Sequence, residues 1–278
     1  MKMKKYHIEN NTVQETLVIP LYARAVCSRY YPDLFNDPEA EKICNSLDYD
    51  FSIKGKAMES VAGRFGALEV AQRQNDLIFE IKDYLVGHPK ASIVDLGCGL
   101  DDTFSKVDNG ECRGYNIDLE DVIRIRNEIL GQKEREENIA CDLRDESWMD
   151  KIEKDNGVIF FASGVFYYLK TEEVRQIIDR LSQNFPGSVL VFDSCNRLGA
   201  KMMRGTWLKE AGISDVDAFF SLEDPLIIKE WNSGIRNVSS RSYMRGYRDI
   251  FDQVGFMHKL MIIFCDLMVR MRIVKVEF

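Results

Sequence analysis

Five short apolar runs separated by segments with helical patterns constrain the fold of this chain most. The runs are Ala91–Gly97, Gly110–Asp118, Asn138–Leu143, Gly157–Ser163 and Ser188–Ser194, and the helical patterns between them cover 119–130, 146–154 and 171–184. Short buried strands that alternate with helices indicate βαβ units and a parallel sheet. The sequence therefore predicts an α/β protein with a Rossmann-like core.

The segments on either side of these runs suggest how the chain is organised. Residues 1–85 are expected to form a helical cover that leads into the core, and residues 86–278 to form the core itself, in one compact domain. An irregular insertion at about 196–245 is expected to close over the site as a lid. The pattern after it predicts a helix ending at Gly255 and two strands in 258–278.

Composition excludes several classes of function. The formal net charge is −8 and the pI about 5.1, so binding to nucleic acid is not expected. Seven cysteines without a C-x-x-C pair and only three histidines indicate reduced thiols, with neither a disulfide framework nor a metal site. The most apolar stretch, Gly157–Leu169, is too short to cross a bilayer. We expect a cytoplasmic protein with no membrane partner.

The turn after the first strand, "DLGCGLDD", limits what the sheet can bind. Gly97 and Gly99 permit a ligand to approach the backbone closely. A dinucleotide fingerprint needs a third glycine at position 102, but Asp102 stands there beside Asp101, and two acids would repel a pyrophosphate. The turn therefore favours a nucleoside without phosphates, of cationic character, and disfavours a nicotinamide dehydrogenase.

Two acids after the next strands support the nucleoside interpretation. Asp118 lies 19 residues past Gly99, the spacing of an acid that binds ribose hydroxyls. Asp142 after the third strand suits an adenine amino group, with Leu143 packing on the ring. Alternatives remain: the glycines can form only a tight turn, and Asp118 and Asp142 can cap the segments that follow. The joint arrangement indicates a site for S-adenosylmethionine (SAM).

Seven elements in order resemble the leucine carboxyl methyltransferase superfamily, in particular its branch of polyketide O-methyltransferases. They are "ETLVIPLYARA", "DPEAEKI", "VDLGCGLDD", "NIDLEDVI", "CDLRD", "ASGVFYYL" and "SLEDPLIIKEW". The resemblance implies a mostly parallel seven-stranded sheet and a SAM-dependent O-methyltransferase that releases S-adenosylhomocysteine (SAH). The cofactor residues it implies, together with neighbours in the same motifs, are Arg73, Asp95, Gly97, Gly99, Asp118, Leu119, Asp142, Leu143 and Ser163.

Two departures from the family pattern affect these expectations. Protein-methylating members have a glutamate where this chain has Ser163, which favours a small-molecule acceptor over a protein C-terminus. The acid that usually follows the arginine by five places is Ile78 here, so Arg73 can instead be a solvated helix residue. Methylation of a protein C-terminal carboxylate and a SAM-binding homologue without activity remain the alternative functions.

The acceptor is predicted to be a carboxylate that becomes a methyl ester. A hydroxyl acceptor needs a base, and none of His7, His88 and His258 is placed to serve as one, although Tyr, Asp or a water chain could. The predicted catalytic residues are Tyr168, close to the expected methyl position, and Tyr22 and Arg24.

These residues belong to a predicted acceptor wall that also includes Tyr167 and Trp231. Arg24 could pair with an acceptor carboxylate through two parallel hydrogen bonds. A salt bridge inside the helical cover is the alternative for Arg24, and a place in the core is the alternative for the two tyrosines of the "FYYL" motif.

Overall fold

The computed structural model describes residues 5–8, 13–203 and 220–278, and its centre is a seven-stranded sheet. Two short strands, β1 (Tyr6–His7) and β2 (Leu47–Asp48), pair outside this sheet. The main sheet contains β3 (Ser92–Leu96), β4 (Arg113–Asp118), β5 (Glu136–Ala140), β6 (Val158–Ala162), β7 (Val189–Ser194), β8 (Asn237–Ser242) and β9 (Arg272–Glu277).

Nine helices within the described residues surround the sheet. They are α1 (Val13–Tyr30), α2 (Pro38–Ser46), α3 (Ser52–Glu59), α4 (Val61–Gly87), α5 (Thr103–Val107), α6 (Glu120–Ile129), α7 (Thr171–Asn184), α8 (Arg197–Met203) and α9 (Phe256–Phe264), and a π-helical turn, Cys265–Val269, continues α9. Short 3-10 turns lie at Met149–Lys151, Phe166–Tyr168, Pro225–Glu230 and Phe251–Gln253.

The strand order is β5-β4-β3-β6-β7-β9-β8. The first five of these strands are parallel, and β9 runs antiparallel to both β7 and β8. Strand order reverses between β3 and β6, and ligands of such sheets bind beyond the carboxyl ends of the strands at this point. The predicted Rossmann-like fold with a mostly parallel sheet of seven strands is confirmed.

Burial explains why β3, β6 and β7 occupy the middle of the sheet. Every side chain of these three strands is buried, which requires helices on both faces. The long helix α4 covers one face together with α1, and α7 packs against the other. Ser60 caps the start of α4, because its Oγ accepts a hydrogen bond from the Gly63 N–H at 3.1 Å.

Several sequence predictions at the end of the chain are wrong. The apolar run 258–269 forms α9 and the π turn rather than a strand, because a continuous apolar run has no periodicity that separates strand from helix. The stretch 246–255 holds a single 3-10 turn rather than a helix, since only Ile250 and Val254 there are buried.

Two further predictions differ from the structure. The predicted helix 146–154 is reduced to the turn Met149–Lys151. The stretch interpreted as irregular contains the edge strand β8, "NVSSRS", whose one buried residue is Val238, so no apolar alternation marks it. Residues 204–219 of the predicted lid lie outside the described residues. Within those that are described, no helix is both long and apolar enough to cross a membrane.

Candidate functional site

A cavity of about 830 Å³ opens at the carboxyl ends of β3, β4 and β6, at the switch point of the sheet. One side, which we call the cofactor end, comprises Gly97, Gly99, Asp118, Leu119, Asp142 and Leu143. The other side, which we call the apolar chamber, comprises Phe65, Val70, Met202, Met203, Met257, Leu260, Met261, Phe264, Val269 and Met271. The residues of the cofactor end lie at or just after the ends of β3, β4 and β5. The apolar chamber includes residues that follow β7 or precede β9, on the other side of the sheet's switch point. The cofactor end and the apolar chamber therefore face each other across the switch point.

The glycine turn has the conformation that its residues predict. Gly97 has φ +80° and Gly99 φ +48°, both in the left-handed region that favours glycine. A Cβ built at Gly97 would lie 2.5 Å from Cγ2 of Val165, so a side chain there would collide with the loop after β6. The turn therefore combines unusual dihedral angles with close packing, and it leaves backbone exposed to the cavity.

We expect Gly97→Ala to weaken SAH binding by at least tenfold, because the new methyl group must displace Val165 at the cavity wall. The matched control is Gly110→Ala, where φ is +87° but nothing lies within 4 Å of the added Cβ. That control should cost only the backbone strain, about 1–2 kcal/mol of unfolding free energy, and should keep the wild-type affinity. Calorimetry with SAH and thermal melts of both variants check this; equal affinities in the two variants would contradict it.

Asp118 connects the glycine turn to α6. Its carboxylate accepts the Gly99 N–H and the Leu119 N–H, each at 2.8 Å. Burial raises the pKa of Asp118 above its ordinary value, and the two backbone hydrogen bonds oppose this shift. A carboxylate has about four acceptor sites, so two remain for a ligand such as ribose hydroxyls. The alternative role of Asp118, capping the helix that follows, accounts only for its contact with the Leu119 N–H. No side chain forms an N-cap hydrogen bond with α6.

Asp142 lies in the cavity wall and is paired with Arg144. The Arg144 guanidinium binds both carboxylate oxygens, with Nη2 to Oδ2 at 2.5 Å and Nε to Oδ1 at 2.9 Å. These hydrogen bonds hold the pKa of Asp142 below its ordinary value. The Arg144 N–H also donates to Oδ1, as the turn-capping alternative expects. Leu143 beside it is buried and lines the same wall.

Arg73 projects from α4 into the cavity and pairs with an acid that sequence reasoning missed. Its Nη1 lies 3.1 Å from Oδ2 of Asp193 at the end of β7, and Oδ1 of Asp193 accepts the Gly164 N–H at 2.6 Å. The Arg73 Nε is buried without a partner among the described residues. Arg73 is thus fixed by Asp193 with a donor left over. Sequence analysis could have identified Asp193 from its position at the carboxyl end of a predicted strand.

The remaining predicted cofactor residues differ in their access to the cavity. Ser163 lines it directly after β6, between the two sides. Asp95 is buried in β3 and does not line it. Burial, with Asp101 nearby, raises the pKa of Asp95 well above its ordinary value, although Arg126 opposes the shift. Asp95 therefore lies behind the glycine turn rather than at the ligand surface.

The predicted catalytic residues are not all brought together. Tyr168 lines the cavity and is partly exposed, whereas Tyr22 stacks on Phe51 inside the helical cover, with ring centroids 4.7 Å apart, and does not line it. Arg24 reaches the wall, but its Nη1 lies 3.1 Å from Asp102 and 3.7 Å from both Asp37 and Asp101. This is the internal salt bridge that the sequence left open as the alternative for Arg24.

The other two members of the predicted wall lie away from the cavity. Tyr167 is 3% exposed and does not line the cavity, in agreement with the core alternative. Trp231 packs against the core cluster on the α7 face of the sheet and is likewise absent from the lining.

Sequence reasoning also missed Glu69, a carboxylate on α4 that lines the cavity and is partly buried. Its Oε1 accepts a hydrogen bond from the Cys265 thiol at 3.4 Å. Burial raises the pKa of Glu69 to about 7, even though the Cys265 hydrogen bond and the Arg73 charge lower it. Nothing in the sequence marks Glu69 as a residue with a raised pKa. Its pKa depends on the packing of α9 against α4, which the sequence pattern does not show.

The histidines are placed elsewhere, as the sequence predicted. His88 caps the far end of α4 and stacks on Tyr84. His258 is buried between the Tyr31 hydroxyl and the Val61 carbonyl, at 2.9 Å and 3.0 Å.

Comparison with known proteins agrees with this geometry. Residues 18–182 match the family model "Leucine carboxyl methyltransferase". A relative, the tetracenomycin polyketide synthesis O-methyltransferase of Streptomyces glaucescens, is 28% identical over 187 residues. The match covers 66% of this chain and 66% of the relative, slightly less than two thirds of its length.

Two solved structures support the fold. A protein of the duf574 family from Streptomyces avermitilis superposes with a TM-score of 0.60 at 14% identity, covering 85% of this chain and 94% of that one. The plantazolicin methyltransferase in complex with a triazolic analogue and SAH superposes with a TM-score of 0.51 at 12% identity, covering 96% and 99%. The chain belongs to the leucine carboxyl methyltransferase family, which confirms the family predicted from its sequence.

Proposed function

We propose that the protein is a SAM-dependent O-methyltransferase of a small, largely apolar organic acceptor. One observation carries this proposal: a single cavity joins the glycine turn and its strand-end acids to a chamber lined mainly by methionine, phenylalanine and valine. A cavity of this size and lining is typical of small-molecule sites. The cofactor would supply an electrophilic methyl group on a sulfonium, and the chamber would hold the acceptor oxygen in line with it.

The residues present fit such a cofactor. Gly97 and Gly99 line the cavity without side chains, so a ligand can approach their backbone closely. Asp118 has acceptor sites left for ribose hydroxyls, and Leu143 offers an apolar surface for the adenine ring. Arg73 also lines the cavity, and its guanidinium offers a positive charge to the amino acid carboxylate of the cofactor. The enzyme's task is then to exclude water and align the reacting atoms.

Two acceptor classes remain candidates. A carboxylate is favoured by the family resemblance and by the lack of a histidine among the described residues of the cavity wall. A hydroxyl is favoured by Glu69, because a carboxylate in the chamber can remove a proton from a hydroxyl and repels a second carboxylate. The neutral Ser163 at the wall supports a small molecule over a protein C-terminus, the remaining alternative.

Helix α1 of the helical cover and α8 of the insertion are proposed to shield the cavity from solvent. Leu17 and Ile19 of α1 and Met202 and Met203 of α8 line the cavity, which supports this assignment. Enclosure of this kind protects the transfer step from water.

We expect Asp118→Ala to weaken SAH binding by about tenfold or more, since hydrogen bonds to a charged group are worth about 1.5–3 kcal/mol. Asp121→Ala, an exchange of a neighbouring acid on α6, is the matched control and should bind SAH as the wild type does. Isothermal titration gives the affinities, and thermal melts confirm that both variants fold. An unchanged affinity in Asp118→Ala would remove Asp118 from the cofactor site.

A transfer assay tests the proposed function itself. The full chain is incubated with SAM labelled in its methyl group and with apolar acceptors offered in pairs that differ only in carrying a hydroxyl or a carboxyl group. Label recovered in an ether or an ester supports the function and selects the acceptor class. Label recovered in a peptide ending in a free carboxylate, and in none of the small acceptors, would favour the alternative of a protein methyltransferase.

A further inference from the structure

We propose that Glu69 is the general base of the reaction and accepts the proton of an acceptor hydroxyl group, so that the chamber takes an apolar phenol or alcohol rather than a carboxylic acid. This inference rests on the proposed function and assigns its acceptor class. It departs from the carboxylate acceptor predicted from the sequence, for reasons that lie in the wall of the chamber.

The position of Glu69 on α4 supports the assignment. Arg73 lies four positions after Glu69 on α4, so the two side chains lie about one helical turn apart on the same face, and both line the cavity. Phe65 and Val70 on the same helix, with Met261 of α9, line the cavity around Glu69 with apolar surface. Glu69 therefore stands between the arginine assigned to the cofactor and the apolar surface assigned to the acceptor.

The charge distribution of the described wall disfavours a carboxylate acceptor. Its basic side chains are Arg24, Arg73 and Arg144; Arg24 and Arg144 are paired with carboxylates of the protein, and Arg73, held by Asp193, is assigned to the cofactor, so none is left for the acceptor. Among the described acids of the wall, Glu69 is the one that shares α4 with Phe65 and Val70 of the apolar chamber. In its ionised form it would repel an acceptor carboxylate, whereas it can accept a hydrogen bond from a hydroxyl.

Among the described groups around Glu69, only Glu69 itself changes its protonation state near neutral pH. The described titratable or charged groups that face it are Cys265, Arg73, Tyr243 and Cys195. Burial raises the pKa of Cys195 to about 12 and those of Cys265 and Tyr243 above their ordinary values, so all three stay protonated. Arg73 stays charged. Glu69, with its pKa of about 7, thus changes charge alone over this pH range.

The proposed step conserves atoms and electrons. The acceptor O–H bond breaks and its proton moves to a Glu69 carboxylate oxygen, while an oxygen lone pair forms the new O–CH₃ bond. The C–S bond of the sulfonium breaks, and its electron pair stays on sulfur, which becomes a neutral thioether. Glu69 returns the proton to solvent after the product leaves. The Cys265 thiol keeps its hydrogen and stabilises the ionised form of Glu69 through the hydrogen bond to Oε1.

The test uses 2-naphthol and 2-naphthoic acid, which present a hydroxyl or a carboxyl group on the same apolar ring system. We expect the wild-type chain to methylate 2-naphthol, with a rate that rises as pH passes about 7. Glu69→Gln should lower this rate by about 10²–10⁴-fold and abolish the inflection. Glu59→Gln, the same exchange at an exposed residue that ends α3, is the matched control and should keep rate and profile.

The outcomes separate this inference from the proposed function. SAH affinity within twofold of wild type in Glu69→Gln, with a cooperative thermal melt, shows that the variant is folded and binds cofactor. Methylation of 2-naphthol by Glu69→Gln at the wild-type rate, esterification of 2-naphthoic acid but not of 2-naphthol by the wild type, or methylation of neither probe would overturn the assignment of Glu69. Failure of the wild type to bind SAH would instead overturn the proposed function.

Discussion

Arg73→Met should lower the free energy of unfolding by about 3–5 kcal/mol, because it leaves the buried carboxylate of Asp193 without its partner. The Asp193 side chain is 2% exposed and the Arg73 side chain 11%, and they meet at 3.1 Å. The same substitution should weaken SAH binding by about tenfold to a hundredfold, since a charged donor to the cofactor carboxylate is lost. Urea denaturation and isothermal titration measure the two effects.

The double variant Arg73→Met/Asp193→Asn separates the two roles of Arg73. A neutral amide at position 193 removes the unpaired charge and can still accept the Gly164 N–H, so most of the lost stability should return. The cofactor affinity should not return, because the guanidinium is still absent. If the double variant regained the affinity together with the stability, Arg73 would be only a structural residue and its cofactor assignment would be wrong.

Asp76→Asn should stabilise the protein by about 4 kcal/mol at pH 7. Asp76 lies on α4 and is 1% exposed, and its Oδ2 has no partner among the described residues. Burial raises its pKa from 3.8 to about 9, with Glu80 adding to the shift and the Gln72 hydrogen bond opposing it. The folded chain therefore keeps Asp76 protonated at pH 7, while the unfolded chain gains free energy by ionising it.

The sign of the pH dependence follows from this difference. A raised folded-state pKa means that the Asp76 penalty is absent below about pH 3.8 and grows as pH rises toward about 9. The gain from Asp76→Asn should accordingly be larger at pH 7 than at pH 5 by about 3 kcal/mol. Asp83→Asn, the same exchange at an exposed residue of α4, is the control and should change stability by less than about 0.5 kcal/mol. A gain from Asp76→Asn that did not vary with pH would contradict the assigned pKa.

The sequence predicted the part of the molecule that local pattern determines. The buried strands β3, β6 and β7 are short apolar runs, and the turn at Gly97 and Gly99 follows one of them directly. Residues at the ends of parallel strands must meet at one edge of the sheet, so the strand pattern alone places Asp118 and Asp142 at that edge, where both line the cavity.

The sequence did not predict features that depend on packing between distant elements. Asp193 pairs with Arg73 across 120 residues, and Cys265 reaches Glu69 across 196. The apolar run that forms α9 fits a strand equally well, yet the packing of this helix against α4 is what places Cys265 beside Glu69. The sequence allows two interpretations of Arg24, and only the positions of Asp37, Asp101 and Asp102 distinguish them.

The most direct measurement is a calorimetric titration of the full wild-type chain with SAM, with SAH in parallel and with a nicotinamide dinucleotide as comparison. The site described above predicts saturable binding of SAM and SAH at one site per chain and no heat from the dinucleotide, because the glycine turn lacks the third glycine of a dinucleotide fingerprint. A chain with a cooperative thermal melt that binds neither SAM nor SAH, or that binds the dinucleotide in their place, would contradict the assignment of this cavity to SAM-dependent methyl transfer.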